Sequence, residues 1–585
     1  QNSQQLTIQQ AISRAKKAVK QGKIADAVEI YTAILQQQPN HPFAKKALSK
    51  LQKGLPQNQS AQAETTQPSQ DQIAALVNLY QSGQMIKAEQ ACRELLQSYS
   101  QSADIINVLG ATLQGQGKLQ EAVASFDRAI QLKPDYPDAY SNRGIALEQL
   151  GQPDEALKSY DKAIRLRPNY PEAYSNRGNA LKDLRHLDTA LESYDKAIQL
   201  KPDLTEAYNN RGNTLKELGL LDEALKSYDK AIQLKPDFAE PYFNRGVILE
   251  QLGQLDEALR SYDKAIQLKP GYTSAYCNRG NALKVLGQLD EALESYDKAI
   301  QLKPDYAKPY NNRGYILNLL GQLDEALKSF DQAIQLKPDS AETYSNRGVV
   351  LKDLGRLDEA LTSFDKAIQL KPDYAEAYSN FLLTLNYTPD LNVSDHIATA
   401  RKFGELVTDN AKPHFTDYQC QPTPEKLRVG LVSGDLGYHP IGYFLESVLS
   451  SMDPSKIELI AYPTKPAVDD LTERIKPSFS MWKPIYGQTD EAAANMIYAD
   501  GVHVLLDLSG HTAGNRLLIF GHKPSPVQAS WLGYFATTGL NEMDYLIGDT
   551  YVTPSQDDDH FTEKVWRLPE TRWCFTPPDV DIEVS

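Results

Sequence analysis

The sequence predicts an all-α stack of helical repeats followed by an α/β domain with a parallel sheet. Residues 137–374 contain seven copies of one 34-residue pattern, and a fixed period of this length is typical of helical solenoids. After residue 426 the pattern changes to short apolar runs that alternate with helix-like segments. This alternation is typical of a parallel α/β sheet. Repeats of the first kind stack into a superhelix with a concave inner surface.

Each copy of the repeat predicts two helices that pack against each other. We call the seven copies in residues 137–374 the sharp repeats. In the first of them, Tyr140, Gly144 and Leu147 form a stripe along one helix, and Gly151 ends that helix. The second helix carries Tyr160 in its own apolar stripe, where it can fill the gap between neighbouring helices. Small residues such as Gly144 allow these helices to approach closely. The pattern resembles the tetratricopeptide repeat.

An asparagine recurs two residues after the first tyrosine of every copy. It lies roughly 200° around the helix from that tyrosine, so it points away from the packing stripe. Stacking the copies is expected to form a ladder of amides that hold the backbone of a bound peptide, because an amide both donates and accepts hydrogen bonds. The alternative is that these amides cap or bridge adjacent helices. The ladder consists of Asn142, Asn176, Asn210, Asn244, Asn278, Asn312 and Asn346.

The repeats and the change of pattern predict five segments. A polar stretch poor in bulky apolar residues cannot bury enough surface to fold and is expected to be a linker. An eighth repeat opening breaks at Phe381-Leu382-Leu383, where the stack is expected to be capped on an apolar surface. The segments are an isolated N-terminal helical repeat (1–53), a flexible linker (54–68), the superhelix (69–380), a capping and bridging helix with a connector (381–425), and an incomplete N-terminal catalytic lobe (426–585).

The composition argues against several classes of partner. The formal charge of −15 and the pI of about 5.2 disfavour nucleic acid, whose binders usually carry a basic face. No apolar run approaches the roughly 20 residues that a membrane helix needs. The four cysteines are scattered without paired spacing, which fits a reducing compartment. We therefore expect a cytoplasmic protein with no nucleic-acid or membrane partner and no metal site.

Two loops of the second domain carry candidate ligand-binding chemistry. In the loop 434–440, Pro440 begins a helix whose free N–H groups can face a phosphate, and His439 lies beside that point. In the loop 507–516, small residues bring the backbone close to a ligand, His511 lies among them, and Arg516 adds positive charge. The alternative is that the loop histidines are structural or merely exposed. There is no Gly-x-Gly-x-x-Gly or Walker loop, which disfavours an ordinary dehydrogenase or nucleoside triphosphatase.

Further motifs in this domain resemble those of the protein O-GlcNAc transferase and SPINDLY family. They are Leu427-Arg428-Val429-Gly430 with His439-Pro440, Asp500-Gly501-Val502-His503, Pro526-Val527-Gln528-Ala529-Ser530-Trp531-Leu532-Gly533-Tyr534, and Met543-Asp544-Tyr545. The resemblance implies that the lobe is Rossmann-like and is the first half of a two-lobed, GT-B-type glycosyltransferase. The sequence departs from the family at Phe535-Ala536, where members commonly have Pro-Gly.

The resemblance also implies a reaction and its residues. Family members transfer a sugar from a nucleotide sugar to a Ser or Thr hydroxyl of a protein, without a metal or a resident cofactor. By resemblance, His439 and His396 are the catalytic candidates. Pro440, Leu532 and Gly533 are the donor-binding candidates, in addition to His511 and Arg516 from the loop above. The repeats are expected to hold the protein substrate and to feed it to the lobe, with UDP-GlcNAc as donor.

Two other functions remain open at this stage. One is a tetratricopeptide scaffold without activity, and the other is a protein O-fucosyltransferase that uses GDP-fucose, towards which the segment Gly510-His511-Thr512-Ala513 leans. The family's second lobe supplies most of the nucleotide contacts, and the sequence stops at Ser585. We therefore expect this polypeptide alone to be inactive.

Overall fold

The structure is a computed structural model that describes residues 8–21, 23–38, 41–53, 67–388, 392–466 and 468–573. Most of the predicted linker lies outside these residues, and so do Gly22 and Pro39 of the predicted N-terminal repeat. The chain divides into two compact units, Gln1–Pro236 and Asp237–Ser585. The units are described separately below.

The first unit consists of helices among its described residues. The helices after the linker form consecutive pairs, a first helix and a second helix, one pair in each repeat. The helices are α1 (Ile8–Lys20), α2 (Ile24–Gln37), α3 (Pro42–Lys53), α4 (Gln70–Gln81), α5 (Met85–Ser98), α6 (Ala103–Gly115), α7 (Leu119–Leu132), α8 (Pro137–Gln149), α9 (Pro153–Leu166), α10 (Pro171–Asp183), α11 (Leu187–Leu200), α12 (Thr205–Glu217) and α13 (Leu221–Leu234).

The second unit begins with the same helical pairs and continues into a lobe with a sheet. Its repeat and bridging helices are α14 (Ala239–Gln251), α15 (Leu255–Leu268), α16 (Thr273–Val285), α17 (Leu289–Leu302), α18 (Ala307–Leu319), α19 (Leu323–Leu336), α20 (Ala341–Asp353), α21 (Leu357–Leu370), α22 (Ala375–Leu385) and α23 (Val393–Asn410). The helices of the lobe are α24 (Pro440–Ser451), α25 (Asp470–Ile475), α26 (Asp490–Ala499) and α27 (Leu517–Gly521).

Each sharp repeat is closed by a contact between a glycine of the first helix and an aromatic ring of the second. A Cβ added to Gly144 would lie 2.5 Å from Cε1 of Tyr160, and one added to Gly280 would lie 2.7 Å from Cε1 of Tyr296. Real Cβ atoms do not approach a ring so closely, so only glycine admits the ring at this depth. The tyrosine rings are fully buried. The predicted role of the small residues is thus confirmed.

The hydroxyl groups of these buried tyrosines are matched to acceptors on the first helix. Tyr194, Tyr228 and Tyr296 donate to the Oδ1 atoms of Asn179, Asn213 and Asn281, each at 2.8 Å. Two repeats have an apolar residue, Ile145 or Val247, at the position of these asparagines. The acceptor there is a glutamate one turn later: Tyr160 donates to Glu148 at 2.9 Å, and Tyr262 donates to Glu250 at 2.6 Å.

The last two sharp repeats lack both the asparagine at the first of these positions and the glutamate at the second. Their second helices carry a phenylalanine in place of the buried tyrosine. Their first helices hold Tyr315 and Asn318, or Val349 and Lys352, at the two acceptor positions. The buried rings there are Phe330 and Phe364. A buried hydroxyl without a partner is costly, and in these two repeats the buried ring carries no hydroxyl.

A left-handed residue joins the two helices of each sharp repeat. It is Gly151 in the first copy, with φ of 72°, and glycines follow at the equivalent positions of later copies. One copy has Arg185 there, with φ of 64°, which is an unfavourable conformation for a residue with a Cβ.

The lobe contains a parallel sheet, as the sequence predicts, and the sheet has seven strands. The strands are β1 (Leu427–Ser433), β2 (Ile457–Pro463), β3 (Met481–Trp482), β4 (Val504–Asp507), β5 (Val527–Ser530), β6 (Tyr545–Asp549) and β7 (Lys564–Leu568), in the spatial order β3-β2-β1-β4-β5-β6-β7. Leu431 pairs with Ala461 of β2 on one side and with Leu506 of β4 on the other. The sequence predicts a strand at residues 427–433 and a helix at residues 490–499, and these are the observed bounds of β1 and α26, whereas β3 and β7 are not predicted.

The strand order reverses direction between β1 and β4. In open parallel sheets, ligands bind beyond the carboxyl ends of the strands at such a reversal. The loops that follow β1 and β4 are those that carry His439 and His511.

The last repeat helices share a core with the lobe. Tyr378 and Leu382 of α22 and Phe403 of α23 pack in one cluster with Leu517 and Phe520 of α27. The break of the repeat pattern at residue 381 therefore marks the point where the stack meets an apolar surface. In the described parts of the chain, no helix is long and apolar enough to cross a bilayer.

The glycine–ring contact can be tested with a matched pair of alanine substitutions. We expect Gly280→Ala to destabilise the repeats by about 1–3 kcal/mol, because the added methyl group overlaps the buried ring of Tyr296. Gly271 lies in a loop of the same unit, and a Cβ there would meet nothing within 4 Å, so Gly271→Ala is the control. Urea unfolding followed by circular dichroism at 222 nm measures both. Equal midpoints for the two variants would contradict the proposed packing.

Candidate functional site

The candidate site lies at the carboxyl ends of β1 and β4. Asp435 follows β1 and accepts a 2.8 Å hydrogen bond from Nζ of Lys465, which follows β2. Thr464, beside that lysine, donates from Oγ1 to the carbonyl oxygen of Gly514 at 3.2 Å. Three strand-end loops are thereby joined at the reversal of strand order. The sequence analysis missed Lys465, because nothing in its local pattern marks it as a partner of Asp435.

His439 caps the helix that follows the first loop. Its Nδ1 accepts a hydrogen bond from the backbone N–H of Ile441 at 3.3 Å, and Pro440 occupies the first turn of α24. The His439 side chain is 45% exposed, and its Nδ1 lies 3.9 Å from Oδ2 of Asp435. Because Nδ1 accepts, a neutral His439 carries its proton on Nε2. The predicted catalytic residue therefore presents a hydrogen-bond donor at the strand ends.

His511, in the second loop, is buried and fixed in one tautomer. Its Nε2 lies 3.0 Å from the carbonyl oxygen of Thr538, which only accepts, so Nε2 carries the proton. Its Nδ1 then accepts from Oγ of Ser379 on α22, also at 3.0 Å. The ring packs edge-on against Phe403 and Tyr534. These contacts tie the end of the repeat stack to the loop after β4.

Arg516 is held by groups of the lobe. Its Nε donates to Oδ1 of Asp490 at 2.6 Å, and its two terminal nitrogens donate to the carbonyl oxygens of Ile485 and Gln488, each at 3.1 Å. Arg516 is the last residue of the loop 507–516, and these three hydrogen bonds help to order that loop. Its predicted contact with the donor stays a prediction, and so does that of His511.

Leu532 and Gly533 form a tight turn against the second loop. Leu532 is buried and has a φ of 66°, a conformation that is uncommon for a residue with a side chain and that clusters at functional sites. A Cβ on Gly533 would overlap the carbonyl oxygen of Leu508. The turn thus presses its backbone onto the loop after β4. Donor contacts of Leu532, Gly533 and Pro440 stay predictions.

His396 lies on α23 and is buried. Its Nε2 has no hydrogen-bond partner among the described residues. Burial, with a smaller contribution from the charge of His560, lowers the pKa of His396 to about 4. His396 is therefore a neutral imidazole at neutral pH, and its catalytic role stays a prediction.

A cavity of about 470 Å³ separates the last repeats from the second loop. Asn346 of the ladder and Asn380 of the eighth repeat opening line it from the helices, and His511, Thr512 and Arg516 line it from the lobe. The ladder residue nearest to the lobe and the loop after β4 therefore face the same space.

Several of the ladder amides donate hydrogen bonds to asparagines of neighbouring repeats. Nδ2 of Asn312 donates to Oδ1 of Asn281 at 2.9 Å, and Nδ2 of Asn346 donates to Oδ1 of Asn311 at 3.2 Å. Asn142 and Asn210 make the equivalent bonds within the first unit, to Asn107 and Asn179. These bonds are those of the bridging alternative, and each uses one of the two Nδ2 protons. Peptide binding by the ladder stays a prediction.

The buried histidines predict a dependence of stability on pH. Burial lowers the pKa of His511 to about 3, so the folded state keeps this imidazole neutral while the unfolded chain binds a proton below about pH 6.5. The free energy of unfolding therefore falls as the pH decreases from 6.5, and His511 contributes about 3 kcal/mol of this loss by pH 4.5. We expect the melting temperature of His511→Gln to fall less steeply over this range.

The control for this measurement is His186→Gln, since His186 is exposed. Calorimetric melting temperatures at five pH values between 4.5 and 7.5 compare the three proteins. Parallel curves for wild type and His511→Gln would show that His511 is not kept neutral.

Comparison with known protein families gives matches for both the lobe and the repeats. Residues 390–575 match the family described as Glycosyl transferase family 41. The repeat copies 137–170, 171–204, 239–272, 273–306 and 341–374 match the family described as Tetratricopeptide repeat. The family resemblance predicted from the motifs is confirmed by these matches.

Two curated relatives and one solved structure give the extent of the similarity. A tomato (Solanum lycopersicum) protein named probable UDP-N-acetylglucosamine–peptide N-acetylglucosaminyltransferase SPINDLY is 33% identical over 34% of this chain and 22% of its own length. The Caenorhabditis elegans UDP-N-acetylglucosamine–peptide N-acetylglucosaminyltransferase is 34% identical over 25% of this chain and 13% of its own. A mutant O-GlcNAc transferase of Thermobaculum terrenum is 30% identical, over 53% of this chain and 59% of its own, with a TM-score of 0.49.

The chain spans about a fifth of the length of the SPINDLY relative. The family matches cover the lobe and repeat copies in both units. The chain thus contains tetratricopeptide repeats followed by a glycosyl transferase family 41 domain, and it is homologous to the SPINDLY and O-GlcNAc transferase proteins.

Proposed function

We propose that the protein is a protein O-glycosyltransferase that transfers N-acetylglucosamine from UDP-GlcNAc to Ser and Thr hydroxyls. The observation that carries the proposal is the meeting of two features at one place. The loops after β1 and β4 flank the reversal of strand order, where an α/β sheet binds its ligand. The cavity beside the second loop is also lined by Asn346 of the repeat stack. A donor site and a protein-binding surface are thereby adjacent.

The donor is proposed to bind against the loops after β1, β4 and β5. In the transfer, the bond between the sugar C1 and the diphosphate oxygen breaks, and the acceptor hydroxyl oxygen bonds to C1. The diphosphate keeps the electron pair, and the hydroxyl proton passes to a nearby base or water. Groups that stabilise the growing negative charge on the diphosphate therefore accelerate the reaction.

His439 is suited to hydrogen bonding with the donor rather than to accepting the hydroxyl proton. Its Nδ1 is occupied by the N–H of Ile441, and its Nε2 carries the proton in the neutral form. When Nε2–H of His439 donates a hydrogen bond to a phosphate or sugar oxygen of the nucleotide sugar, it orients the leaving group. His396, a buried neutral imidazole, is proposed as a second histidine of the site.

The free cysteines Cys92, Cys277 and Cys420 fit a proposed cytoplasmic location, which cell fractionation can test.

Donor choice and metal dependence can be tested on the full-length protein. We expect transfer of radiolabel from UDP-GlcNAc, but not from GDP-fucose, to Ser- or Thr-containing peptides. The rate should be unchanged by EDTA, because the proposed reaction uses no metal. His439→Ala should lower kcat about 100-fold, the loss typical of one transition-state hydrogen bond. Transfer from GDP-fucose would favour the fucosyltransferase alternative, and transfer from neither donor would contradict both.

The role of the ladder can be tested at the residues nearest to the lobe. A hydrogen bond to a peptide contributes about 0.5–1.5 kcal/mol, so the double variant Asn312→Ala, Asn346→Ala should raise the KM for an acceptor peptide about tenfold. The kcat should stay constant, because the chemistry lies at the strand ends. Gln301→Ala, at an exposed position of α17, is the control.

The bridging alternative predicts a different result for the same double variant. Asn281 and Asn311 would lose their hydrogen-bond donors, which lowers the melting temperature of the repeats. A lower melting temperature together with an unchanged KM would show that the ladder amides have a structural role only.

A further inference from the structure

The carboxylate of Asp507 lies at the junction of the two loops that flank the proposed donor site. Asp507 is the last residue of β4 and is 1% exposed. Its Oδ1 accepts from the backbone N–H of Ser509 at 3.1 Å, and its Oδ2 accepts from the backbone N–H of Gly510 at 2.8 Å. One carboxylate thereby fixes the first turn of the loop after β4.

The same carboxylate also holds the end of the neighbouring strand. Oγ of Ser530, the last residue of β5, donates to Oδ2 of Asp507 at 3.0 Å. The backbone N–H of Trp531 donates to the carbonyl oxygen of Asp507 at 2.9 Å. The next two residues are Leu532, with its left-handed backbone, and Gly533, packed against Leu508. The end of β5 and the start of the β4 loop are therefore fixed to one residue.

Gly510 shows how closely these two segments approach. It has a φ of 55°, and a Cβ at this position would overlap the Cβ and ring of Tyr534. The backbone N–H groups of residues 509 and 510, which donate to Asp507, belong to the same turn that makes this contact. A shift of either turn would move Leu532, Gly533 and His511 together.

We infer that Asp507 is a positioning residue of the transfer reaction, which holds the loops after β4 and β5 in the conformation that binds the nucleotide-sugar donor. This inference rests on the proposed transferase function. Asp507 itself is buried beneath the loops, so it acts through their backbone and does not touch the donor. An ionised carboxylate suits this task, because its oxygens only accept hydrogen bonds.

The protonation of Asp507 gives the inference a distinctive pH signature. Burial raises the pKa of Asp507 to about 6, which the hydrogen bonds from Ser509, Gly510 and Ser530 oppose and the charge of Glu563 reinforces. His511, on the same loop, stays neutral and adds no charge. Below about pH 6 the carboxyl gains a proton, which removes its negative charge and turns one of its oxygens into a hydrogen-bond donor, so the hydrogen bonds from Ser509, Gly510 and Ser530 weaken. The loops after β4 and β5 are then held less firmly by Asp507, and binding of the nucleotide-sugar donor weakens.

The test compares Asp507→Asn with the wild-type full-length protein. The amide keeps the size of the side chain but places an NH2 group against N–H donors, so we expect the KM for UDP-GlcNAc to rise about tenfold, the effect of losing one hydrogen bond to a charged group. The KM for the acceptor peptide should not change. The wild-type KM for the donor should rise below about pH 6, whereas that of Asp507→Asn should be independent of pH in this range.

Asp549→Asn is the matched control. Asp549 ends β6 at the same edge of the sheet, is 1% exposed, and accepts the backbone N–H groups of Tyr551, Val552 and Arg572. It lies two strands away from Asp507. We expect its substitution to leave the donor KM and its pH dependence unchanged, although both variants remove a buried carboxylate.

Hydrogen exchange separates a failure of this inference from a failure of the proposed function. The amides of Ser509 and Gly510 should exchange at least tenfold faster in Asp507→Asn than in wild type, whether or not the protein transfers a sugar. A wild-type protein without transferase activity would refute the proposed function alone, if the exchange result holds. An active Asp507→Asn with the wild-type donor KM, or with unchanged amide exchange, would refute the positioning role.

Discussion

The contact between a glycine and a buried aromatic ring is the constraint on which the repeat stack depends. A first helix and a second helix can lie this close only because one side presents no Cβ at the point where the other presents a ring, as at Gly280 and Tyr296. The ring then needs a partner for its hydroxyl, and the first helix provides it. Packing and polar satisfaction are thus set by residues of the same two helices, and the 34-residue period repeats both.

The lobe solves a different problem, which is to present loops with defined backbones at one edge of a sheet. Its strands are buried and parallel, so their carboxyl ends converge. The loops after β1, β4 and β5 are fixed there by charged or polar groups beneath them, including the Asp435–Lys465 ion pair and the Asp507 carboxylate. The last repeat helices enter the same arrangement through Ser379 and His511. The end of the repeat stack and the lobe therefore share structural residues at their junction.

Sequence reasoning succeeded where periodicity determines the structure and failed where tertiary burial does. The helical pairs follow from the period of 34, β1 follows from its apolar run, and α26 follows from the alternation of strand-like and helix-like segments. Strand β3 has two residues, too few to form a pattern. Strand β7 lacks strict alternation, because Val565 and Trp566 are adjacent apolar residues, and none of its residues is fully buried.

Within the candidate site, the loops were predicted but the groups that hold them were not. His439 and His511 stand out because of their residue type and their place after apolar strands. Asp507 was predicted only as the first residue of the loop 507–516, with no role of its own. Its burial and its three partners depend on how β4, β5 and their loops fold together. The asparagine ladder was recognised by its spacing, whereas the choice of Asn281 and Asn311 as acceptors requires the neighbouring repeats.

The matching of tyrosine hydroxyls to acceptors limits how such a gene can recombine. Repeats of nearly identical sequence invite unequal crossing-over, which fuses the first helix of one copy to the second helix of another. A junction that joins the helix bearing Val349 to the helix bearing Tyr296 would bury a hydroxyl without an acceptor. A junction that joins the helix of Asn281 to the helix of Phe330 would leave an amide oxygen with one partner fewer. Whole repeats can therefore be duplicated or lost in register, while half-repeat exchanges are disfavoured.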